Sequence, residues 1–271
     1  MKIHPFVVIL LVTILSPVYS SPHIINAPQA TPQIDGVINT GEWSEQHAVK
    51  LSRAYHDQRS IKLYYAHDTE NLYLAANVED QQLWADGSGS GAGNIWENFD
   101  DDSIEWYFDL NQSKDDFLQH DDRFLALNIG NFNDPVNGNG IVSRRSFNAG
   151  DGNGGSIGIL DPHVLEGIKY QVQYHGTVNN SEDIDQGYSI EVSIPWTLLP
   201  GAAHADGDSI AINAIIISDD SGNSRDFSDN RSIEPAELRF TLPILIDEYV
   251  ELKHSTQHSS QSGLNGPSAY T

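Results

Sequence analysis

Residues 187–196 read GYSIEVSIPW. Tyr188, Ile190, Val192 and Ile194 alternate with Ser189, Glu191 and Ser193, and a period of two is the signature of a strand with one buried and one polar face. Residues 102–109, DSIEWYFD, repeat the pattern: Ile104, Trp106 and Phe108 oppose Ser103, Glu105, Tyr107 and Asp109. Ile61–Ala66, Leu72–Val78, Arg123–Ile129, Tyr170–Tyr174 and Leu238–Leu242 read as further strands. Ile210–Ile217 is apolar almost throughout, which predicts burial on both faces. No long segment carries a helical period. The fold class that follows is all-β, an antiparallel β-sandwich. Two long Gly-rich loops interrupt it, at Asp86–Asn94 and Asn131–Ser156.

The ends of the chain read differently. Residues 1–20 have the make-up of a signal peptide: Lys2 first, then an apolar run from Val7 to Leu15, then small residues at Val18 and Ser20, with cleavage expected after Ser20. The run is short for a membrane span, so no membrane insertion is expected after cleavage, and the mature chain is expected in the periplasm or outside the cell. Residues 21–252 form the β-sandwich domain. Residues 253–271, rich in Ser, His, Gln and Gly, read as a disordered tail.

Composition narrows the function. The 271 residues hold 38 Asp and Glu against 14 Lys and Arg, a formal charge of −24. Such a chain repels phosphate backbones, so nucleic acid is not expected as a partner. There is no Cys, and the single Met is Met1. That removes disulfides, thiolate metal sites and Cys nucleophiles. It also removes Met ligation of haem and leaves only His/His or His/Lys pairs, so no haem is expected. The acidic surface suits calcium, which takes oxygen ligands. It equally suits plain solubility.

The densest chemistry lies in residues 94–109, NIWENFDDDSIEWYFD. A Gly-rich loop delivers Trp96 to the start of a strand whose polar face carries Glu105. An aromatic ring beside carboxylates is the usual make-up of a carbohydrate site: the ring covers the C–H face of a sugar and the carboxylates accept its hydroxyl hydrogens. Asp100, Asp101 and Asp102 precede this strand and Asp121 and Asp122 follow it, an oxygen-rich set that could ligate structural calcium or simply be solvated. Glu105 and Glu191 both fall on polar strand faces, so a glycosidase carboxylate pair stays open. Trp106 and Trp196 read as core, and His67 as a surface histidine. The sequence contains no GxSxG, HExxH, P-loop or GxGxxG motif.

The order of elements then carries a resemblance. Ile34-Asp35-Gly36 precedes Glu42-Trp43; His67-Asp68 leads into residues 71–80; Trp96-Glu97 precedes residues 102–109; and residues 187–196 close the series. This resembles the family 9 carbohydrate-binding modules, β-sandwiches related to DOMON domains, across residues 33–243. The resemblance implies a non-catalytic, calcium-supported module that holds a sugar between two tryptophans and works beside glycan-degrading enzymes in carbohydrate catabolism. On that likeness Trp96, Glu105 and Asn128 match sugar-contacting positions, and Trp43, Trp106 and Trp196 match structural ones. The arginine expected two residues before Asn128 is Ala126, with Arg123 close by. The second clamp tryptophan is absent, with Phe227 in its neighbourhood and Arg225 keeping part of the polar pattern. Three other functions stay open: a DOMON-like haem or electron-transfer domain, a glycoside hydrolase, and a structural surface module whose sugar site has decayed.

Overall fold

The computed structural model describes residues 23–52, 60–86, 101–115, 117–130, 140–141, 143, 145–153, 156–158, 167–219, 231–232 and 236–241. The signal sequence, the tail, Trp96, Asp100, Arg225 and Phe227 lie outside them.

Thirteen strands are present among the described residues: β1 (His23–Pro28), β2 (Val49–Ser52), β3 (Ser60–His67), β4 (Asn71–Val78), β5 (Ser103–Asp109), β6 (Arg123–Asn128), β7 (Arg145–Gly150), β8 (Ser156–Gly158), β9 (Lys169–Tyr174), β10 (Tyr188–Pro195), β11 (Ser209–Ile217), β12 (Arg231–Ser232) and β13 (Ala236–Thr241). They form two sheets. The larger runs β1-β13-β11-β5-β6-β7-β8, with β12 also paired to β11; the smaller runs β2-β3-β4-β10-β9. All pairings are antiparallel except β1 with β13, which is parallel.

Alternation places the core. Ile104, Trp106 and Phe108 from β5, Leu125 and Leu127 from β6, Phe147 from β7 and the even-numbered residues Ile210 to Ile216 of β11 meet Ile61, Leu63 and Tyr65 of β3, Leu72 and Leu74 of β4 and Tyr188, Ile190, Val192 and Ile194 of β10 in one buried cluster. The two sheets therefore pack face to face as a sandwich. A second, smaller cluster lies on the far side of the five-stranded sheet. There the segment between β1 and β2 lays Ile34, Ile38, Trp43 and Ala48 over Tyr64, Ala66, Tyr73 and Ala75.

Several expectations change. β11 alternates instead of being buried on both sides, with Ala211, Asn213 and Ile215 only half-buried on the outer face. The region read as a loop from Asn131 to Ser156 contains β7, whose single core-facing large residue, Phe147, gives too little apolar periodicity to be seen. His67 is buried, because it ends β3 beside the bridge to Gln29. Gly187 has φ of +119°, and a Cβ there would stand 1.9 Å from the Val78 carbonyl, so only glycine lets β10 begin so close to the end of β4.

Candidate functional site

The outer face of the eight-stranded sheet carries the polar residues of interest. Strand register orders them in rows: Ile215, Glu105, Ala126 and Ser146 form one, Asn213, Tyr107, Phe124 and Asn148 the next, and Ser103 pairs with Asn128 beyond. Glu105 is only 2% exposed. It accepts a hydrogen bond from the Tyr107 hydroxyl at 2.5 Å. Burial first, and then the Glu105 charge, pushes the Tyr107 phenol far above its usual range, so it remains a donor at any physiological pH. Tyr107 stacks on Phe124 with ring centroids 4.8 Å apart.

Asn128 is fully buried on the Glu105 face. Its Nδ2 donates to Asp101 Oδ2 at 2.8 Å and its Oδ1 accepts from the Gly130 N–H at 3.2 Å. The structure therefore brings Glu105 and Asn128 together on one face. It separates Arg123 from them. Arg123 lies three residues from Ala126, an odd offset that turns it to the opposite face. It pairs with Phe108 at the far end of β6, and its guanidinium donates to the carbonyls of His120 and Asp122 at 3.1 and 2.7 Å. Arg123 thus cannot stand in for the arginine replaced by Ala126.

The aspartates divide into two groups at opposite ends of the β5–β6 hairpin, ~20 Å apart by strand rise. At one end, buried Asp102 accepts the backbone N–H groups of Trp84 (2.9 Å) and Asp219 (2.7 Å), pinning the loops after β4 and β11. Burial first, and then the Asp80 charge, holds its carboxyl well above the usual range. At the other end, Asp122 accepts from the backbone of Gln119 at 2.7 Å and of Leu110 at 3.3 Å, and Asp121 accepts from Asn111 Nδ2 at 2.5 Å. These carboxylates serve as anchors for backbone and amide N–H groups. Among the described residues no three His, Asp or Glu side chains converge on a point that would hold a metal ion. The described members of the expected calcium set, Asp101, Asp102, Asp121 and Asp122, therefore do not form one calcium site.

Glu191 sits on the outer face of the other sheet. It is fully buried beneath the segment between β1 and β2, and accepts from Trp43 Nε1 (2.6 Å), Gly36 N (2.7 Å) and Asp35 N (2.9 Å). Glu105 and Glu191 are thus on opposite outer surfaces of a sandwich whose sheets alone stand ~10 Å apart. They cannot flank one glycosidic bond. Trp196 is buried and donates to the Asp68 carbonyl at 2.9 Å while stacking on His204 at 4.3 Å. An open cleft of about 470 Å³ beside it is lined by His67, Asp68 and His204. The Asp68 carboxylate is already taken by Thr31, Tyr73 and two backbone N–H groups, so this cleft offers less chemistry than the Glu105 face.

A sequence model of the "Carbohydrate family 9 binding domain-like" family matches residues 34–233. The chain belongs to that family. Relatives agree with the assignment. The endo-1,4-beta-xylanase A of Thermotoga neapolitana is 33% identical over 112 residues, which are 40% of this chain and 10% of the xylanase. Among solved structures, a family 9 carbohydrate-binding module from Caldicellulosiruptor kristjanssonii, determined with cellotriose, is 18% identical. It aligns over 82% of this chain and 95% of its own length, with a TM-score of 0.53. A putative carbohydrate-binding protein from Bacteroides uniformis is 14% identical, with coverage of 81% and 100% and a TM-score of 0.52. These structural likenesses carry the sandwich fold. No helix among the described residues is long and apolar enough to cross a membrane.

Tyr107, Phe124, Asn148 and Ser146 were not singled out from the sequence as site residues. For Tyr107 the signal was available, since it shares Glu105's parity in residues 102–109. For Ser146 and Asn148 it was not, because β7 itself is illegible.

Proposed function

We propose that this chain is a carbohydrate-binding module that holds sugar without transforming it, on the outer face of the eight-stranded sheet around Glu105. The observation that carries the reading is the burial of a carboxylate on the solvent side of a sheet, held by a tyrosine hydroxyl and bordered by Asn128, in a chain of the family 9 binding-domain type. A carboxylate fixed in that way is a directed acceptor for sugar hydroxyls. Trp96, and in the second clamp position Phe227 with Arg225, complete the site as aromatic and polar walls in this reading. Titration calorimetry of the full chain against glucose, cellotriose and xylotriose tests it. Binding in the millimolar-to-micromolar range, about 4–8 kcal/mol, is expected. Glu105→Gln should weaken it about tenfold or more. A wild-type protein that binds none of the three would leave a structural module as the better description.

The separation of Glu105 from Glu191 disfavours a glycosidase built on that pair. Export after cleavage at Ser20, and work beside a glycan-degrading enzyme, belong to the same proposal. The xylanase relative supports the second, and N-terminal analysis of secreted protein beginning at Ser21 would support the first. Structural calcium at the aspartates belongs to the same proposal; a chelator that lowers Tm supports it, and an unmoved Tm removes it.

A further inference from the structure

One row of the same sheet face has properties that the Glu105 site does not use. Asn148 is 0% exposed, and neither its Oδ1 nor its Nδ2 has a hydrogen-bond partner. In the same row the Oδ1 of Asn213 is also buried without a partner, as is the hydroxyl of fully buried Ser103 on the other side of Glu105. Between the two asparagines lie the half-buried, stacked rings of Tyr107 and Phe124. Leaving a buried amide unsatisfied costs about 1–3 kcal/mol per group, and a fold does not collect several on one face without a compensating partner. None of the strand neighbours supplies one. Across β6, the residues flanking Glu105 and leading to β7 are the small Ala126 and Ser146, which leave the floor low in the direction of Asn148.

We propose that the row Asn213–Tyr107–Phe124–Asn148 is a second subsite for a neutral oligosaccharide. One pyranose ring lies on the Tyr107–Phe124 pair, and the two asparagine amides bond its hydroxyl groups at either side. The inference rests on the reading of Glu105 as a sugar-binding residue and extends it to a ligand longer than one unit. Two residues of strand rise set this row ~7 Å along the strands from the row of Glu105, beside it and not within it. No Lys or Arg stands in the three rows around Glu105 at the described positions, and the chain carries a charge of −24. Neutral sugars are therefore favoured over uronic acids or sulfated glycans.

The test compares cellotriose and glucose by titration calorimetry on the full chain, with Asn148→Ala and Asn213→Ala. The Asn148 side chain makes no hydrogen bond in the ligand-free protein, so Asn148→Ala should not lower Tm, and Asn213→Ala serves as an independent variant at a half-buried position. Each variant is expected to weaken cellotriose about tenfold, and glucose by a smaller factor, so that the preference for the longer sugar falls. Unchanged cellotriose affinity in both variants overturns the subsite and leaves the asparagines to bound water. Equal proportional loss of both sugars overturns it too, because the row would then belong to the Glu105 subsite. A wild type that binds neither sugar fails the functional reading itself. Binding with no preference for the longer sugar fails only the extension.

Discussion

Removing the Glu191 carboxylate, with Glu191→Ala, should destabilise the protein severely while sparing its ligand. The carboxylate accepts from Trp43 Nε1, Gly36 N and Asp35 N at 2.6–2.9 Å and is closed off from solvent. Truncation leaves three N–H donors without an acceptor beneath the segment between β1 and β2, and opens a void that the alanine does not fill. At about 1–1.5 kcal/mol for each stranded donor, the loss is about 3–5 kcal/mol. Burial raises the pKa of Glu191, so desolvation of its charge already offsets part of the gain, and the lower end of that range is the safer expectation. For a domain of this size the loss corresponds to a fall in Tm of about 6–20 °C. Glu191→Gln keeps an acceptor for one side of the site but turns an NH2 toward the other, so an intermediate fall is expected. Differential scanning calorimetry at neutral pH measures both, and sugar affinity is measured on the same samples below the transition. A Tm within 2 °C of wild type in Glu191→Ala would refute the anchoring role. Lost sugar binding with an unmoved Tm would refute the separation of the two glutamates.

Gly187→Ala should cost more than about 3 kcal/mol in urea unfolding, because a Cβ at φ of +119° would stand 1.9 Å from the Val78 carbonyl and 2.8 Å from the Asp80 nitrogen. Trp43→Phe keeps most of the ring packing but strands Glu191 Oε1, and about 2 kcal/mol should be lost, with Tm as the readout. The pH dependence follows from the buried carboxylates. Burial raises the folded pKa of both Asp185 and Glu191, so their contribution is fully present below the unfolded values of about 3.9–4.3 and is lost as pH rises through the folded ones. Burial alone would also raise Asp68, but the Tyr73 hydroxyl and the N–H groups of Glu70 and Asn71 outweigh it and hold that carboxyl low. Its contribution is therefore lost only as pH falls below about 4. Tm should accordingly rise as pH is lowered from neutrality toward the unfolded carboxylate values of about 4, and a scan in which Tm falls throughout that interval would contradict the assignment.

The core was legible because parity is legible. Wherever three or four apolar residues alternate, as from Tyr188 to Ile194 or from Ile104 to Phe108, the strand and its inward face follow directly, and the strand ends agree to within one or two residues. β7 was lost because a strand near a sheet edge needs only one large core residue, here Phe147, and Asn, Ala and Gly around it resemble a loop. β1 was lost because its pairing with β13 is parallel and joins the two ends of the described chain, a contact no local pattern encodes. Within the candidate site, Glu105 came from strand parity and Asn128 only from the resemblance, and the strand register now sets them on one face. Arg123 is not on it: proximity in sequence suggested it, and an odd offset from Ala126 forbids it. The aspartates suggested an ion because their density is visible in the sequence, whereas the backbone N–H groups that occupy Asp102 and Asp122 are visible only once the loops are folded.

Glu105 and Glu191 show what decides the fate of a carboxylate in a sandwich. Each sits at the centre of an alternating strand, each points away from the core, and each is almost completely removed from water. Sequence pattern assigns them the same role. The difference lies in what packs outside the sheet. Over the five-stranded sheet the chain folds its own segment, and Trp43 Nε1, Gly36 N and Asp35 N each donate to Glu191, so that carboxylate is matched from within the fold. Over the eight-stranded sheet a tyrosine hydroxyl meets Glu105 while the amide of Asn148 and the Oδ1 of Asn213 in the adjacent row remain unmatched. In the proposed reading the ligand lies on the Glu105 face, and the unmatched atoms in the adjacent row suit one that brings several hydroxyl groups at once.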